Sequence, residues 1–366
     1  MSNIIQFKPL TPKATPMERI QSVLGMVAQS RRTSEDVFWL KENAEALNVL
    51  ESSGQSVTSD ALSLYGEFYD TIEQKLQFFP QYYRFFLSIA MDLEALGFTG
   101  GFPGGKAGDL AHWCAAQQLV DGELSDLQRA EARRLTQRVD VHLPGLEGLD
   151  QRLHHFIDAS ATFALPNKKA AYELTHIIFY LSEYGRRDPN VSDHAIKSLQ
   201  FVGILSMLEQ NADLLAEVCI ALQFCGASVP ADWTAWLSTH LSAAQFGTRS
   251  VMADDYHQYL MCEWLAQLQG RACFEMVVPN QIGSIDMPEY RTAALRHLSQ
   301  AIMETSGLMA VGSMATQTLS VSLPPEVYDM LEFVADTSEY FGEFFEKFTR
   351  QSPILQRDGT RLQAGR

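Results

Sequence analysis

Residues 172–184 read YELTHIIFYLSEY and combine side chains that can bind metal ions or transfer protons. If this segment is helical, positions i, i+3, i+4 and i+7 share one face, and they carry His176, Phe179, Tyr180 and Glu183. Imidazole titrates near neutrality and a carboxylate can orient it. His176 is therefore a candidate metal ligand and Glu183 a candidate general acid or base. The structural alternative is that His176 only makes a hydrogen bond to a neighbouring helix.

Residues 211–224, NADLLAEVCIALQF, place two carboxylates one helical turn apart. Asn211 is the predicted N-cap, and an acid such as Asp213 in the first turn often serves only the helix dipole. Glu217 has apolar neighbours, and a carboxylate buried among them needs a partner. We therefore take Asp213 as a candidate metal ligand and Glu217 as a candidate catalytic residue.

Residues 254–264, DDYHQYLMCEW, place Asp254 and His257 at i, i+3 early in a long helix. The alternative interpretation is an acidic cluster that caps the helix. Two histidines with carboxylates suit Zn²⁺ or another divalent metal ion. If the three helices converge, the sequence predicts one shared site, with His176, Asp213 and His257 as metal ligands and Glu183 and Glu217 as acid–base groups.

The elements that must position these residues are helices. Hydrophobic periodicity and capping signals predict about thirteen of them, including helices over 146–160, 167–184, 193–209, 211–225, 231–245, 252–269, 287–305 and 325–349. Strand signal is limited to a possible small hairpin formed by 272–278 and 318–323. The fold class predicted is all-α, built from antiparallel helical hairpins. A closed (α/α) toroid is favoured over an open α-solenoid because no 34- or 40-residue repeat is present.

The predicted domain organisation is a flexible leader over 1–14, a single helical domain over 15–350 and a flexible tail over 351–366. The glycine-rich segment 97–108 is the best candidate for an internal boundary. Within it, Gly100, Gly105 and Lys106 match most of a P-loop pattern. Ala107 stands where a hydroxyl residue must hold Mg²⁺, and the segment follows a helix instead of a strand, so we expect a surface loop.

Composition excludes several classes of partner. The 366 residues carry a formal net charge of −16, which disfavours nucleic acid and anionic membranes. The longest uncharged run, between Glu304 and Glu326, is too polar to span a bilayer, and residues 1–13 lack a secretory signal. The five cysteines show no CxxC spacing, which is typical of buried thiols in a reducing cytoplasm. Motifs of triad hydrolases, HExxH zinc enzymes and dinucleotide-binding proteins are absent from the sequence.

Residues 172–185 and the following NADLLAEVC helix resemble an uncharacterised, mostly alphaproteobacterial family of all-helical proteins. The resemblance spans most of the chain, including 78–97 and 123–135, and it implies no established activity. The LTH..FYL pattern, the DLLAE helix and the later helix that contains His257 are more distantly similar to terpene-cyclase-like (α/α) toroid proteins. That similarity implies a ring fold in which His176 and His257 match the positions of histidines in those toroid proteins.

Two functions follow as hypotheses. The favoured one is a binding or scaffold module for a protein or peptide. Its candidate surfaces are a basic face (Arg129, Arg133, Arg134 and Arg138) and an aromatic face on the last helix (Phe341, Phe344, Phe345 and Phe348). Each of these has a structural alternative, as solvated surface or as core. The second hypothesis is a metal-dependent enzyme that acts on a small molecule or peptide in a central cavity.

Overall fold

The computed structural model describes residues 14–247, 254–275, 278, 284–289, 292, 294–305 and 322–349. These residues form seventeen α-helices and one pair of short strands, which agrees with the predicted all-α class. The helices are α1 Pro16–Gly25, α2 Val37–Ser52, α3 Ser59–Ser63, α4 Gly66–Phe78, α5 Tyr83–Ala95, α6 Ala107–Ala116, α7 Asp126–Gln137, α8 Leu149–Ile157, α9 Ser160–Phe163, α10 Lys168–Leu181, α11 Asp193–Glu209, α12 Ala212–Phe224, α13 Ala231–Ser242, α14 Tyr256–Leu268, α15 Ala294–Thr305, α16 Pro325–Thr337 and α17 Phe341–Phe348.

Helix starts follow local sequence signals. Thr15 and Glu18 form the capping box that opens α1, and Ser125 and Gln128 form the one that opens α7. Asparagine or serine side chains also cap three of the helices that carry or support the candidate site, α10, α11 and α12. The side-chain oxygen accepts a hydrogen bond from a first-turn N–H that would otherwise have no partner. The start predicted for the helix over 287–305 is wrong, because Asp286 belongs to a strand and the helix runs from Ala294 to Thr305.

Six helices that together carry almost half of the described buried apolar residues contact one another in cyclic order. Helix α2 packs on α5, α5 on α7, α7 on α10, α10 on α12, α12 on α14, and α14 returns to α2. Helices α6, α8, α11 and α13 each contact two successive members of this set. The cyclic order places the start of α14 beside α2, although the two helices are far apart in the chain.

The predicted extent of α10 is wrong at its C-terminal end. The helix ends at Leu181, and Glu183 and Tyr184 have left-handed backbone φ angles of 50° and 55°. Gly185 follows with φ 82°, and a Cβ atom there would lie 2.6 Å from the Phe224 ring, so the chain turns where only glycine fits. The turn removes Glu183 from the helical face that carries His176.

The two strands lie outside the segments predicted for a hairpin. Gln245–Gly247 (β1) pairs antiparallel with Ser284–Asp286 (β2), with Phe246 opposite Ile285. The described part of 272–278 is not a strand: Cys273 and Phe274 are buried, and the Phe274 N–H donates to Glu263 Oε2 at 3.2 Å. This segment therefore anchors a loop in the core. Residues 318–321 of the second predicted strand lie outside the described residues.

The last predicted helix, 325–349, is interrupted. Ser338 is extended and its hydroxyl donates to Gln200 Oε1 at 3.1 Å, so α16 and α17 are separate. In α17, Phe344 and Phe348 are buried, and Phe344 meets the Phe201 ring of α11 with 5.8 Å between centroids. The aromatic stripe is therefore core. The predicted leader falls outside the described residues up to position 13, and so does the whole predicted tail.

The glycine-rich loop holds an internal carboxylate where a P-loop would hold phosphate. Glu94 Oε1 accepts hydrogen bonds from the backbone N–H groups of Lys106 (2.7 Å) and Ala107 (2.8 Å) and from the Tyr69 hydroxyl (2.5 Å). Gly105 permits this approach, since a Cβ there would lie 2.3 Å from Glu94 Cδ. The first N–H groups of α6 are thereby satisfied within the chain. Among the described residues, none of the helices has the length and apolarity needed to cross a bilayer.

Candidate metal centre

Helices α10, α12 and α14 bring four of the five predicted site residues together. One ligand atom each of Asp213, Glu217 and His257 lies within 4.8 Å of the others, which is the geometry of a potential metal site. His176 Nδ1 lies 3.5 Å from Glu217 Oε2, so it borders the same cluster. Helical periodicity decides on which face of its helix each of these side chains lies. The packing of α10, α12 and α14 brings these faces together.

Glu183, the fifth predicted residue, is not in the cluster. Its Oε2 lies 3.1 Å from Arg134 Nε, and its Oε1 lies 3.6 Å from Arg187 Nη2. The left-handed turn after Leu181 points it toward α7. We therefore assign Glu183 a structural ion pair and no part in the site.

Both oxygens of Asp213 are already engaged. Oδ1 lies 2.6 Å from His257 Nδ1, and because a carboxylate can only accept, Nδ1 carries the proton. Oδ2 accepts a hydrogen bond of 2.6 Å from the Tyr172 hydroxyl. Burial disfavours the charged form of Asp213, but the hydrogen bonds and the charge of His257 prevail and lower its pKa. Asp213 thus orients the His257 ring and leaves Nε2 as the ring nitrogen available to a ligand.

The His257 Nε2 atom faces two carboxylates. It lies 3.6 Å from Glu45 Oε1 and 3.9 Å from Glu217 Oε1. Two ligand atoms that each lie about 2.1 Å from a tetrahedral Zn²⁺ are about 3.4 Å from each other. The distances of 3.6 Å and 3.9 Å are therefore close to those between two ligands of one metal ion. Burial opposes the charged form of His257, but the charges of Glu45, Asp213 and Glu217 raise its pKa to about 9. The site therefore attracts positive charge.

Glu217 is a buried carboxyl group in which one of the two oxygens has a hydrogen-bond partner among the described residues. The side chain is fully buried, and Oε2 accepts a 2.5 Å hydrogen bond from the Thr175 hydroxyl. Oε1 has no hydrogen-bond partner within the part of the chain that the structure describes. Burial and the nearby Asp213 charge raise the pKa of Glu217 well above its usual range. A bound cation would neutralise this group and satisfy Oε1.

His176 presents one free nitrogen. Its Nδ1 lies 2.8 Å from the Tyr172 carbonyl oxygen, which only accepts, so Nδ1 donates and Nε2 is left as an acceptor. Burial lowers the pKa of His176, which keeps the ring neutral, as metal binding requires. About a third of the side chain (32%) is accessible to solvent. Solvent-borne ligands therefore reach this edge of the site.

Glu45 belongs to the site but the sequence interpretation missed it. Its Oε1 lies 3.4 Å from Lys41 Nζ, and its Oε2 is buried without a partner among the described residues. The available signal was the polar run KENAEALN over 41–48, which places acids and amides within a helix that must bury most of its surface. The spacing alone could not reveal which distant helix it faces.

A cavity of about 220 Å³ extends from this cluster. Glu45, Glu217, His176 and His257 line one part of it, and the rings of Phe179, Tyr180, Tyr184 and Trp264 form an aromatic wall. The volume is below the roughly 300–1,000 Å³ of typical drug-sized sites. It therefore suits a small molecule and is too small for a folded peptide segment.

Comparison with known proteins places the chain in a family without changing this account. The chain belongs to a family described as a domain of unknown function (DUF6902), which matches residues 1–351. No curated protein and no solved structure matches the chain. The expected membership in an uncharacterised family is confirmed, while the similarity to terpene-cyclase-like toroids stays a prediction.

Proposed function

We propose that this protein is a metal-dependent enzyme that acts on a small molecule in the 220 Å³ cavity. The observation that carries the proposal is the pair of carboxylates, Glu45 and Glu217, which face His257 Nε2 and each keep one buried oxygen without a partner among the described residues. Native proteins rarely leave such groups unsatisfied, and a divalent cation satisfies both.

The ligand set that we propose comprises Nε2 of His176 and His257 together with the carboxylates of Glu45 and Glu217. In the described part of the chain, Asp213, Glu217 and His257 have ligand atoms within 4.8 Å of one another, so His176 and Glu45 would have to move closer when a metal ion binds. Two imidazoles with two carboxylates suit Zn²⁺, Mn²⁺ or Fe²⁺. Asp213 and the Tyr172 carbonyl hold the two Nδ1–H groups and so fix both rings. A metal ion held here would polarise a substrate oxygen or lower the pKa of a bound water. The partial exposure of His176 and His257 leaves an open side for that substrate.

We infer further that the six helices in cyclic contact form the inner ring of a closed (α/α) toroid. The contact between α14 and α2 supports closure, because successive hairpins of an open solenoid touch only their neighbours. The cluster contains residues from α2, α10, α12 and α14, so a ring would place it at the centre.

The two surfaces considered for a scaffold role are engaged within the chain, and this favours the enzyme over the scaffold. The four arginines of the basic face pair with acids of the same chain: Asp126, Asp150, Glu183, Asp92 and Glu51. The aromatic face of α17 packs into the core. We therefore favour the enzyme. We also propose a cytoplasmic location, because all five cysteines are free thiols and four of them are buried.

The test is elemental analysis of protein purified without a metal-affinity step. We expect about one Zn, Mn or Fe per chain and loss of most of it in His176→Ala and His257→Ala, because each removes a ligand. His155→Ala, at an exposed position on α8, is the matched control and should keep its metal. Wild-type protein that neither contains a metal nor takes up added Zn²⁺, Mn²⁺ or Fe²⁺ would overturn the proposal.

A further inference from the structure

The cavity continues beyond the metal cluster along two helices. On α2, Asn48 follows Glu45 by three residues, and on α14, Trp264 follows His257 by seven, so both lie further along the same faces. Seven residues of helix span about 10 Å. Both Asn48 and Trp264 line the cavity. A ligand that reaches the metal end can therefore also reach this second region.

Two buried donors in this region have no partner. The Asn48 Nδ2 amide and the Trp264 Nε1–H are both inaccessible to solvent and unpaired within the described residues. Trp264 donates through Nε1 only, and its ring is almost fully buried. Two unsatisfied donors on helices that lie against each other are unusual in a native core. They indicate a ligand atom that accepts hydrogen bonds.

The charges around the cavity argue against an anionic ligand. Lys41 pairs with Glu45 at 3.4 Å, and Arg84 pairs with both Glu123 (2.9 Å) and Glu131. Each cation that lines the described part of the cavity therefore already has a carboxylate partner. At Asn48 and Trp264 a ligand carboxylate would meet only neutral donors, while a neutral carbonyl oxygen needs no counter-charge.

The aromatic wall favours a planar ligand. The rings of Phe179 and Tyr184 lie 5.3 Å and 5.7 Å from that of Trp264, between centroids, and are inclined to it by 64° and 37°. A planar group can stack on one of these rings and meet another edge to face. Met261 lies between His257 and Trp264 on α14 and adds an adaptable apolar contact.

We infer that the cavity binds a small, planar, neutral molecule whose carbonyl oxygen accepts hydrogen bonds from Asn48 and Trp264. The inference rests on the proposed function only in that the rest of the ligand extends toward the metal cluster. The carbonyl-binding pair itself is separate from the metal ligands. An amide, a lactam or an aryl ketone has the required chemistry.

The test is ¹⁹F NMR binding of four matched probes to the full chain: 4-fluorobenzamide, 4-fluorobenzoate, 4-fluorobenzylamine and 4-fluorotoluene. They share the ring and differ only in a neutral carbonyl, an anion, a cation or no polar group. We expect 4-fluorobenzamide to bind about tenfold more tightly than the others, as expected for the hydrogen bonds gained. Asn48→Leu and Trp264→Phe should each weaken it about 3- to 10-fold. Trp113→Phe on α6, which removes an indole N–H outside the cavity, should leave it unchanged.

Measurements on metal-loaded and on chelator-treated protein separate this inference from the proposed function. If the amide preference persists in a protein that binds no metal, the carbonyl site stands and the metal proposal falls. If metal binds but the four probes bind alike, or none binds, or the benzoate or benzylamine binds best, the inference is wrong. The same conclusion follows if Asn48→Leu and Trp264→Phe, with unchanged thermal unfolding, both keep the wild-type affinity for 4-fluorobenzamide.

Discussion

Replacing Asp213 by asparagine distinguishes a residue that orients a metal ligand from a residue that is one. In the structure both Asp213 oxygens are used, one by His257 Nδ1 and one by the Tyr172 hydroxyl, each at 2.6 Å. The asparagine oxygen can still accept a hydrogen bond from His257 Nδ1–H, but it carries no negative charge. Its NH₂ group then faces the Tyr172 hydroxyl, which is itself a donor. The His257 ring therefore keeps its place but loses part of its basicity.

Mutation of a residue that holds a metal-binding histidine by a hydrogen bond typically lowers metal affinity about 10- to 100-fold. That range corresponds to about 1.4–2.7 kcal/mol of binding free energy. By contrast, His257→Ala removes a ligand and should abolish stoichiometric binding. Tyr172→Phe, which leaves Asp213 in contact with His257, should cost less than Asp213→Asn, because a single neutral donor is lost.

The assay is competition between the protein and a chromophoric chelator for Zn²⁺, with circular dichroism to confirm that each variant is folded. Binding by Asp213→Asn that is as weak as binding by His257→Ala would mean that Asp213 is a direct ligand, as its residue type and spacing first indicated. Unchanged binding would mean that the Asp213–His257 hydrogen bond does not support the site. Either result would refute the geometry that we infer from the two 2.6 Å contacts.

Two further predictions concern stability. Gly105→Ala should lower the free energy of unfolding in urea by about 1–3 kcal/mol more than Gly104→Ala, because both have positive φ but only the Cβ of residue 105 would meet Glu94, at 2.3 Å; equal losses would contradict the Glu94 clamp. In metal-free protein, the raised pKa of His257 stabilises the fold fully below about pH 6.5, and this contribution is lost as the pH rises through about 9. Between pH 6 and pH 9.5, the free energy of unfolding of the wild type should therefore fall by up to about 3 kcal/mol more than that of His257→Gln. If the two free energies change in parallel with pH, His257 is not held in its charged form.

Much of the helical framework was predictable because its signals are local. Capping boxes at Thr15 and Ser125 and the asparagine caps of α10 and α12 fixed helix starts within a residue or two. Helix ends were harder to predict. The early end of α10 at Leu181 depends on Gly185 fitting against the Phe224 ring of α12, and that contact cannot be read from α10 itself.

The site shows the same division. His176, Asp213, Glu217 and His257 were identified by residue type and helical spacing, and the structure brings them together. Glu183 was assigned to the same face by spacing, but the turn after α10 sends it to Arg134. The difference arises because periodicity holds only while the helix continues.

The sequence by itself determined the all-α class, the starts of the capped helices and the faces that carry the polar residues, since hydrogen bonding and periodicity act within a few positions along the chain. Tertiary structure decided which faces meet. It set Glu45 of α2 against His257 of α14, and it engaged both oxygens of Asp213 so that Nε2 of His257 faces the cavity. These outcomes depend on helix packing between distant segments, where burial of apolar surface and pairing of buried charges act together.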